Sequence, residues 1–318
     1  MRHLGLTAIL VFGLSCCSWG QWKDAELCAC ETDPDLVLKY CSMAINTGKL
    51  PAAELATTFY RLAYIYDAKG EYRRAIQDYG EAIRLNSNYA DAFSNRCNAY
   101  YHIGEYDRAI QDCDEAIRLN PDHPFAFNNR GNSYKAKGEY DRAIKDYSET
   151  IRLNPNSVLG FKYRGAARFE LGQFDAAVAD FLQSANIEPN NPFAAIWVYL
   201  ARSRAGQEAR NALEKDAARF DLTTWPGHVL YLFLDRVNTG YVLAAPKNRD
   251  PKVLRELRCE AYFYVGEDAL LRNSTEEARR YFQLAIDTGV IYFLEYHIAQ
   301  AELNRLAMPN PPRLPTNK

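Results

Sequence analysis

Apolar residues in the middle of this chain recur at helical spacing and fall into two successive stripes. Gly104 lies between the stripes, where it can end one helix and open a tight turn. Pro121 follows the second stripe and begins the next unit. The first stripe consists of Phe93, Cys97 and Tyr100, and the second of Ala109, Cys113 and Ala116. The pattern predicts two antiparallel helices joined by a short turn.

This two-helix unit repeats with a period of 34 residues. Its best-preserved part reads GEYDRAIQDCDEAIRLNP over Gly104–Pro121 and GEYDRAIKDYSETIRLNP over Gly138–Pro155. Related segments at Gly70–Ser87 and Gly172–Pro189 keep the same register. A fixed period of this length is typical of stacked-repeat proteins, which present extended concave surfaces rather than closed catalytic pockets.

The recurring positions resemble the tetratricopeptide repeat, or TPR. One copy shows the first-helix positions of that motif as Phe127, Gly131 and Tyr134. The resemblance runs over residues 56–191 and implies an all-α, TPR-type superhelical solenoid of antiparallel helix pairs, with irregular repeats toward the C-terminus. One departure from the family pattern is regular, because arginine replaces the usual leucine of the first helix at Arg96, Arg130 and Arg164.

The remaining sequence divides at breaks in the repeat register. The stretches Trp225-Pro226-Gly227 and 247–251 interrupt the helical pattern, and a further helix pair is expected from Cys259. The prolines after Met308 favour a disordered end. The predicted segments are a signal peptide at 1–20, an N-terminal helical cap at 21–55, four repeats at 56–191, degenerate helical repeats at 192–258, a TPR-like helix pair with a closing helix at 259–308, and a disordered tail at 309–318.

The N-terminus carries an export pattern. Arg2 and His3 precede a short apolar run, and Ser18-Trp19-Gly20 offers a small-x-small cleavage site. Ordinary cleavage is the favoured interpretation; lipidation of Cys16 within a partial lipoprotein box is the alternative. We therefore expect an exported protein of the periplasm, or of the outer membrane if lipidated, where a lipid anchor would be the means of membrane attachment.

The combination of export signal, repeats and C-terminal sequence resembles the NlpI-type TPR proteins of the bacterial envelope. The C-terminal part of this resemblance begins at Cys259 with CEAYFYVGEDALLRNSTEEARRYFQLAIDTGV and continues with Phe293-Leu-Glu-Tyr296. Proteins of that type are adaptors that dock peptidoglycan hydrolases and a protease. The resemblance implies the adaptor class and protein clients, with envelope hydrolases or proteases as candidate clients.

Composition and motifs argue against several other functions. The formal net charge is −2 and there is no long basic run, so a nucleic-acid partner is not expected. None of the five histidines belongs to an HExxH motif, and the sequence has no GxSxG motif or Gly-rich phosphate loop. We expect no enzymatic activity and no cofactor.

The cysteines suggest disulfides, which export makes chemically possible. Cys97 and Cys113 are placed symmetrically about a repeat turn, so the folded helix pair would bring them face to face. Simple packing explains the pair equally well, because two medium-sized residues would replace the small and aromatic pair of the other repeats. Cys28, Cys30 and Cys41 could supply a second bridge, and no fourth ligand for a metal site is evident.

Three arginines face three aspartates in the same helix-pair geometry. An acidic-ligand site is one interpretation, but a partly buried Arg–Asp ion pair inside each unit is favoured, because an arginine among apolar neighbours needs a partner. The expected structural pairs are Arg96 with Asp112, Arg130 with Asp146, and Arg164 with Asp180.

Asparagines supply the candidate peptide-binding site. In a TPR superhelix their positions line the concave groove, and a primary amide both donates and accepts hydrogen bonds. A ladder of amides could therefore pair with an extended peptide backbone; a solvated polar face without a ligand is the alternative. The residues are Asn95, Asn98, Asn128, Asn129 and Asn132.

These observations favour a non-enzymatic adaptor or scaffold of the cell envelope that holds extended client segments in its concave groove. The alternative is a self-assembling structural scaffold, a homo-oligomer joined through its C-terminal helices.

Overall fold

The computed structural model describes residues 23–308, which form seventeen α-helices and no strand within that range. The sequence-based assignments at 1–20, including Cys16, and at 309–318 lie outside the described residues. The helices are α1 (Lys23–Cys30), α2 (Pro34–Asn46), α3 (Ala52–Ala68), α4 (Tyr72–Leu85), α5 (Ala90–His102), α6 (Tyr106–Leu119), α7 (Pro124–Ala136), α8 (Tyr140–Leu153), α9 (Val158–Glu170), α10 (Phe174–Ile187), α11 (Pro192–Arg204), α12 (Arg210–Ala217), α13 (Gly227–Phe233), α14 (Thr239–Ala244), α15 (Pro251–Leu271), α16 (Thr275–Asp287) and α17 (Leu294–Leu306).

Helices α3 to α10 form four antiparallel pairs, and the prediction of an all-α solenoid is confirmed. The turn inside each pair needs a glycine, because Gly104 and its equivalents adopt a left-handed backbone, with φ of 79° at Gly104. Small residues are needed where the paired helices cross. A Cβ atom built on Gly131 would lie 2.8 Å from the ring of Tyr147, so the close crossing there excludes a side chain.

Two disulfides cross helix pairs. Cys97 and Cys113 are joined with an S–S distance of 2.06 Å and link α5 to α6. Cys28 and Cys41 are joined at 2.06 Å and link α1 to α2. Neither disulfide includes Cys30, which lies exposed. The Cys97–Cys113 bridge occupies the place where the next repeat packs Gly131 against Tyr147. A covalent bond therefore replaces a packing contact where these two helices cross.

The C-terminal half departs from the predicted boundaries. Helix α15 begins at Pro251, so the expected start of the last helix pair at Cys259 falls inside a helix of 21 residues. Asp250 caps this helix by accepting a hydrogen bond from the Lys252 amide, and Pro251 occupies the first helical position, where its missing N–H is not needed. The closing helix α17 begins at Leu294 and lies within the predicted segment 259–308.

Helices α15, α16 and α17 form a C-terminal module that folds back onto the repeats. Helix α16 packs between α15 and α17, and α17 also contacts α9. One large apolar core, centred on the fully buried Trp197, runs from α9 through this module. Within residues 23–308, no helix combines the length and apolar character that a membrane span requires.

Candidate functional site

The first helices of the repeats form the inner wall of the solenoid. Helices α3, α5, α7 and α9 pack in sequence against one another, in addition to packing against their own partners. Because the first helices lie side by side, their side chains that face away from the second helices line the concave surface. All five asparagines of the predicted peptide-binding ladder lie on α5 and α7 of this wall.

Two of these asparagines form equivalent bonds between successive repeats. The side-chain amide of Asn95 donates to the Tyr60 hydroxyl at 2.9 Å, and that of Asn129 donates to the Ser94 carbonyl at 3.1 Å. Each bond reaches back 35 residues, to the neighbouring first helix. These amides therefore join the repeats to one another.

The other three asparagines differ in their surroundings. Asn98 is hydrogen-bonded to the Asp67 carboxylate, whose pKa burial nevertheless raises to about 7. Asn132 accepts a hydrogen bond from the Tyr147 hydroxyl at 2.8 Å. Asn128 is buried, and its Oδ1 atom has no hydrogen-bond partner among the described residues. Their pairing with a client backbone stays a prediction.

The arginine rows also join neighbouring repeats. Arg130 contacts both carboxylate oxygens of Asp146, with its Nε and Nη2 atoms at 2.8 and 2.7 Å, and its Nη1 atom lies 2.6 Å from Asp114 of the preceding repeat. Asp146 is buried, and Arg130 is largely covered. The corresponding pairs are Arg96 with Asp112 at 2.6 Å and Arg164 with Asp180 at 2.7 Å.

The C-terminal module covers one side of the concave wall. His102 of α5 stacks on Tyr72 with ring centres 4.4 Å apart, and Tyr292 packs edge-on against His102 at 5.4 Å. Lys252 lies 5.9 Å from the centres of both tyrosine rings. At the other end of the module, Arg305 donates to the Glu170 carbonyl at 2.9 Å. The groove predicted from the sequence is therefore partly occupied by the chain itself.

His102 makes this contact sensitive to acid. Burial, and secondly the charge of Lys252, lower its pKa to about 4, so acidification from pH 6.5 toward 4 protonates the unfolded chain before the folded one. The contribution of neutral His102 to the unfolding free energy is fully present above pH 6.5 and decreases as the pH falls. Compared with a His102→Phe variant, the wild type should lose up to about 3 kcal/mol more unfolding free energy over this window. Urea denaturation across the pH range measures this difference, and parallel curves for the two proteins would contradict it.

The opposite side of the concave wall remains open. Phe125 is 64% exposed and Leu159 is 44% exposed, and they occupy equivalent positions in α7 and α9. Phe125 precedes Asn128 by one helical turn, so the two lie on the same face of α7. We call Phe125, Asn128 and Leu159 the open strip. The sequence analysis did not identify the two apolar residues, although their spacing of one repeat was a signal.

Among residues 23–308, no group of three or more His, Cys, Asp or Glu side chains is arranged to hold a metal ion. What the concave wall does offer is a long surface that combines exposed apolar side chains with amide groups, and such surfaces bind other macromolecules.

Comparison with known families agrees with the fold. One model of the tetratricopeptide repeat matches residues 90–123 and 124–157, and a TPR repeat model matches residues 63–104. The chain carries tetratricopeptide repeats. Among curated proteins, the Lipoprotein NlpI homolog of Haemophilus influenzae is 27% identical over 118 residues, a match that spans 36% of this chain and 38% of that relative. The prediction of a TPR protein resembling the NlpI type is confirmed.

Solved structures show the same architecture. A tetratricopeptide repeat protein from Parabacteroides merdae aligns with a TM-score of 0.52 at 17% identity, over 84% of this chain and 92% of that one. YrrB, a TPR protein, aligns with a TM-score of 0.48 at 20% identity, over 62% of this chain and 98% of its own. The similarity to the Parabacteroides merdae protein supports the TPR-type fold of the present chain and no finer property.

Proposed function

We propose that this TPR chain is a non-enzymatic, protein-binding adaptor of the bacterial cell envelope and that it holds extended client segments against its open strip. The observation that carries this proposal is the exposure of Phe125 and Leu159 on neighbouring first helices, beside a part of the groove that the C-terminal module covers. Single exposed apolar side chains are common, but adjoining ones often mark an interaction site.

An extended segment suits this surface better than a helix does. The buried Oδ1 atom of Asn128 and the buried hydroxyl of Ser94 have no hydrogen-bond partners in the described part of the chain. Both atoms are covered in the folded chain, so the amides that a client backbone can reach are those of the partly exposed Asn98 and Asn132. An extended backbone has N–H and C=O groups to pair with these amides, whereas a helix has already used its own. Apolar client side chains would cover Phe125 and Leu159. Because these contacts are uncharged, affinity should depend little on salt.

The envelope location has two supports. Two disulfides indicate an oxidising compartment, such as the bacterial periplasm. The similarity to a protein named as an NlpI-type lipoprotein agrees with the export pattern of the sequence. Envelope hydrolases or proteases remain the candidate clients, and a lipid anchor at Cys16 remains the alternative to ordinary cleavage.

Self-assembly through the C-terminal helices is less favoured by the packing. Helices α15 and α16 bury Phe263, Tyr264 and Phe282 inside their own chain. These apolar side chains are therefore not available to a second copy in the folded state.

The proposal predicts that Phe125→Ser combined with Leu159→Ser weakens client capture. Losing each large apolar contact costs up to about 1.5–3 kcal/mol, so even one of the two lost contacts corresponds to a roughly ten- to hundredfold weaker Kd. The measurement compares proteins captured from envelope extract by wild type and by the double variant, followed by titration of the captured partner. Leu171→Ser is the matched control, because Leu171 is 38% exposed at the end of α9 and lies outside the open strip. Equal capture by all three proteins would contradict the proposal that the open strip binds clients.

A further inference from the structure

A cavity of about 460 Å³ lies between the concave wall and the C-terminal module. The asparagines Asn98 and Asn132 line it from the repeats, and residues 292–295 line it from the loop before α17 and from the start of that helix. This volume falls within the range of small-molecule pockets. The cavity is separate from the open strip, since neither Phe125 nor Leu159 lines it.

The two walls of the cavity carry opposite charges. Lys135 and Lys162 line it from α7 and α9, whereas Glu260 and Glu295 line it from α15 and α17. Aromatic rings, including Tyr163 and Tyr292, complete the lining. Convergent polar groups within an aromatic lining are typical of sites that orient a small polar ligand.

The basic groups of the repeat wall have unused hydrogen-bonding capacity. Lys135 is 3% exposed, and its ammonium group makes one ion pair, with Glu170 at 3.3 Å, although it has three protons to donate. Lys162 has no carboxylate partner among residues 23–308. His102 also lines the cavity, and its buried Nδ1 atom has no hydrogen-bond partner there. The buried ammonium group of Lys135 therefore has its anion in Glu170, and Lys162 is the lysine of this wall that can pair with a ligand carboxylate.

The acidic wall is held in place by neighbouring side chains. Glu295 accepts a hydrogen bond from the Tyr264 hydroxyl at 3.0 Å, and Glu260 accepts one from the Trp225 indole at 2.5 Å. A carboxylate has about four acceptor sites, so Glu295 keeps capacity for an additional donor beside the Tyr264 hydroxyl. The two bonds restrict the orientation of the carboxylates.

We propose that this cavity binds a short zwitterionic peptide of two or three residues. Its C-terminal carboxylate would lie against Lys162 and Lys135, its amino group against Glu295, and its backbone against the amides of Asn98 and Asn132. An aromatic side chain of the ligand would pack on Tyr163 and Tyr292. Because this ligand contacts both walls, it would hold the C-terminal module against the repeats.

Titration calorimetry with the dipeptide Ala-Phe tests this site directly. The expected result is saturable binding of the free dipeptide, with at least a tenfold weaker Kd for its C-terminal amide and for its N-acetyl form. Lys162→Met should weaken binding of the free dipeptide at least tenfold and leave the Kd of the C-terminal amide unchanged, because the substitution removes the group that recognises the carboxylate. Lys145→Met is the control, since Lys145 is exposed on α8 and does not line the cavity.

Three outcomes would overturn the proposal. They are the absence of binding at millimolar dipeptide, equal binding of the free and capped forms, and a Kd for the free dipeptide that is the same in Lys162→Met as in the wild type. The Phe125→Ser, Leu159→Ser variant should bind the dipeptide as the wild type does, which separates this site from client binding. Hydrogen exchange gives a second readout, in which the dipeptide should slow exchange of residues 289–294 in the wild type and not in Lys162→Met.

Discussion

Replacing Arg204 with methionine is expected to lower the unfolding free energy by about 3–5 kcal/mol. The Arg204 side chain is 1% exposed and lies 3.0 Å from Glu267 of α15 and 3.0 Å from Glu302 of α17. Both carboxylate side chains are fully buried. Without the guanidinium group, buried Glu267 would lose its counter-charge and Glu302 would keep only its ion pair with Arg305. The arginine therefore stabilises the packing of the C-terminal module on α11.

Chemical denaturation measures this effect, with Arg210→Met as the matched control. Arg210 pairs with Asp235 at 2.7 Å, but both side chains are more than half exposed, so its removal should cost less than about 1 kcal/mol. Replacing Arg204 and Glu267 together by methionine should recover much of the lost stability, because Glu302 keeps its ion pair with Arg305 and a buried ion pair is often no more stable than apolar packing. Equal losses for Arg204→Met and Arg210→Met would contradict the importance of this network.

Replacing Arg130 with alanine should lower the unfolding free energy by about 3 kcal/mol at neutral pH, the lower end of the range for a broken buried pair. Asp146 would lose two hydrogen bonds and Asp114 one. Burial already raises the pKa of Asp146 despite the guanidinium group, and removing that group raises it further. A carboxylate with a raised folded-state pKa loses stability as the pH rises, so the loss should be smallest in acid and grow as the pH rises toward neutrality.

The control for this prediction is Arg152→Ala. Arg152 pairs with Glu149 at 2.8 Å, but its side chain is 60% exposed, and the loss should stay small. Gly80 offers a test in the opposite direction, because it occupies the position that Asp114 holds in the next repeat, and a Cβ atom there would lie 3.5 Å from Arg96. Gly80→Asp should add the missing bridge and raise stability. A pH-independent loss for Arg130→Ala would argue against the ionised pair.

Local features of this fold were predictable because each repeat is specified by residues close together in sequence. Gly104 and Pro121 mark the turns, and the spacing of small and large residues indicates which faces of a helix pair meet. The start of α2 at Pro34 follows from the same rules. The position of the C-terminal module was not predictable in this way. Tyr292 meets Tyr101 across 191 residues, and no short-range pattern encodes such a contact.

The asparagine ladder shows a second limit of sequence reasoning. Position within the repeat places Asn95 and Asn129 on the first helices α5 and α7. The same period also places Tyr60 and Ser94 within hydrogen-bonding distance of their amides. Periodicity thus predicts where a polar group lies but does not distinguish a bond to the next repeat from a bond to a client. The exposed Phe125, which the sequence analysis did not identify, supports the proposed binding face more directly.

Site-specific photo-crosslinking in envelope extract tests the adaptor proposal most directly. A photoreactive phenylalanine would replace Phe125 or Leu159 on the open strip, and, as a control, Arg118 or Arg152, which are exposed on the second helices α6 and α8. The proposal predicts that Phe125 and Leu159 crosslink to extended client segments, identified by mass spectrometry, and that an excess of the same segment as a free peptide removes the crosslinks. Crosslinks that form only from Arg118 and Arg152, or none that the peptide displaces, would contradict it.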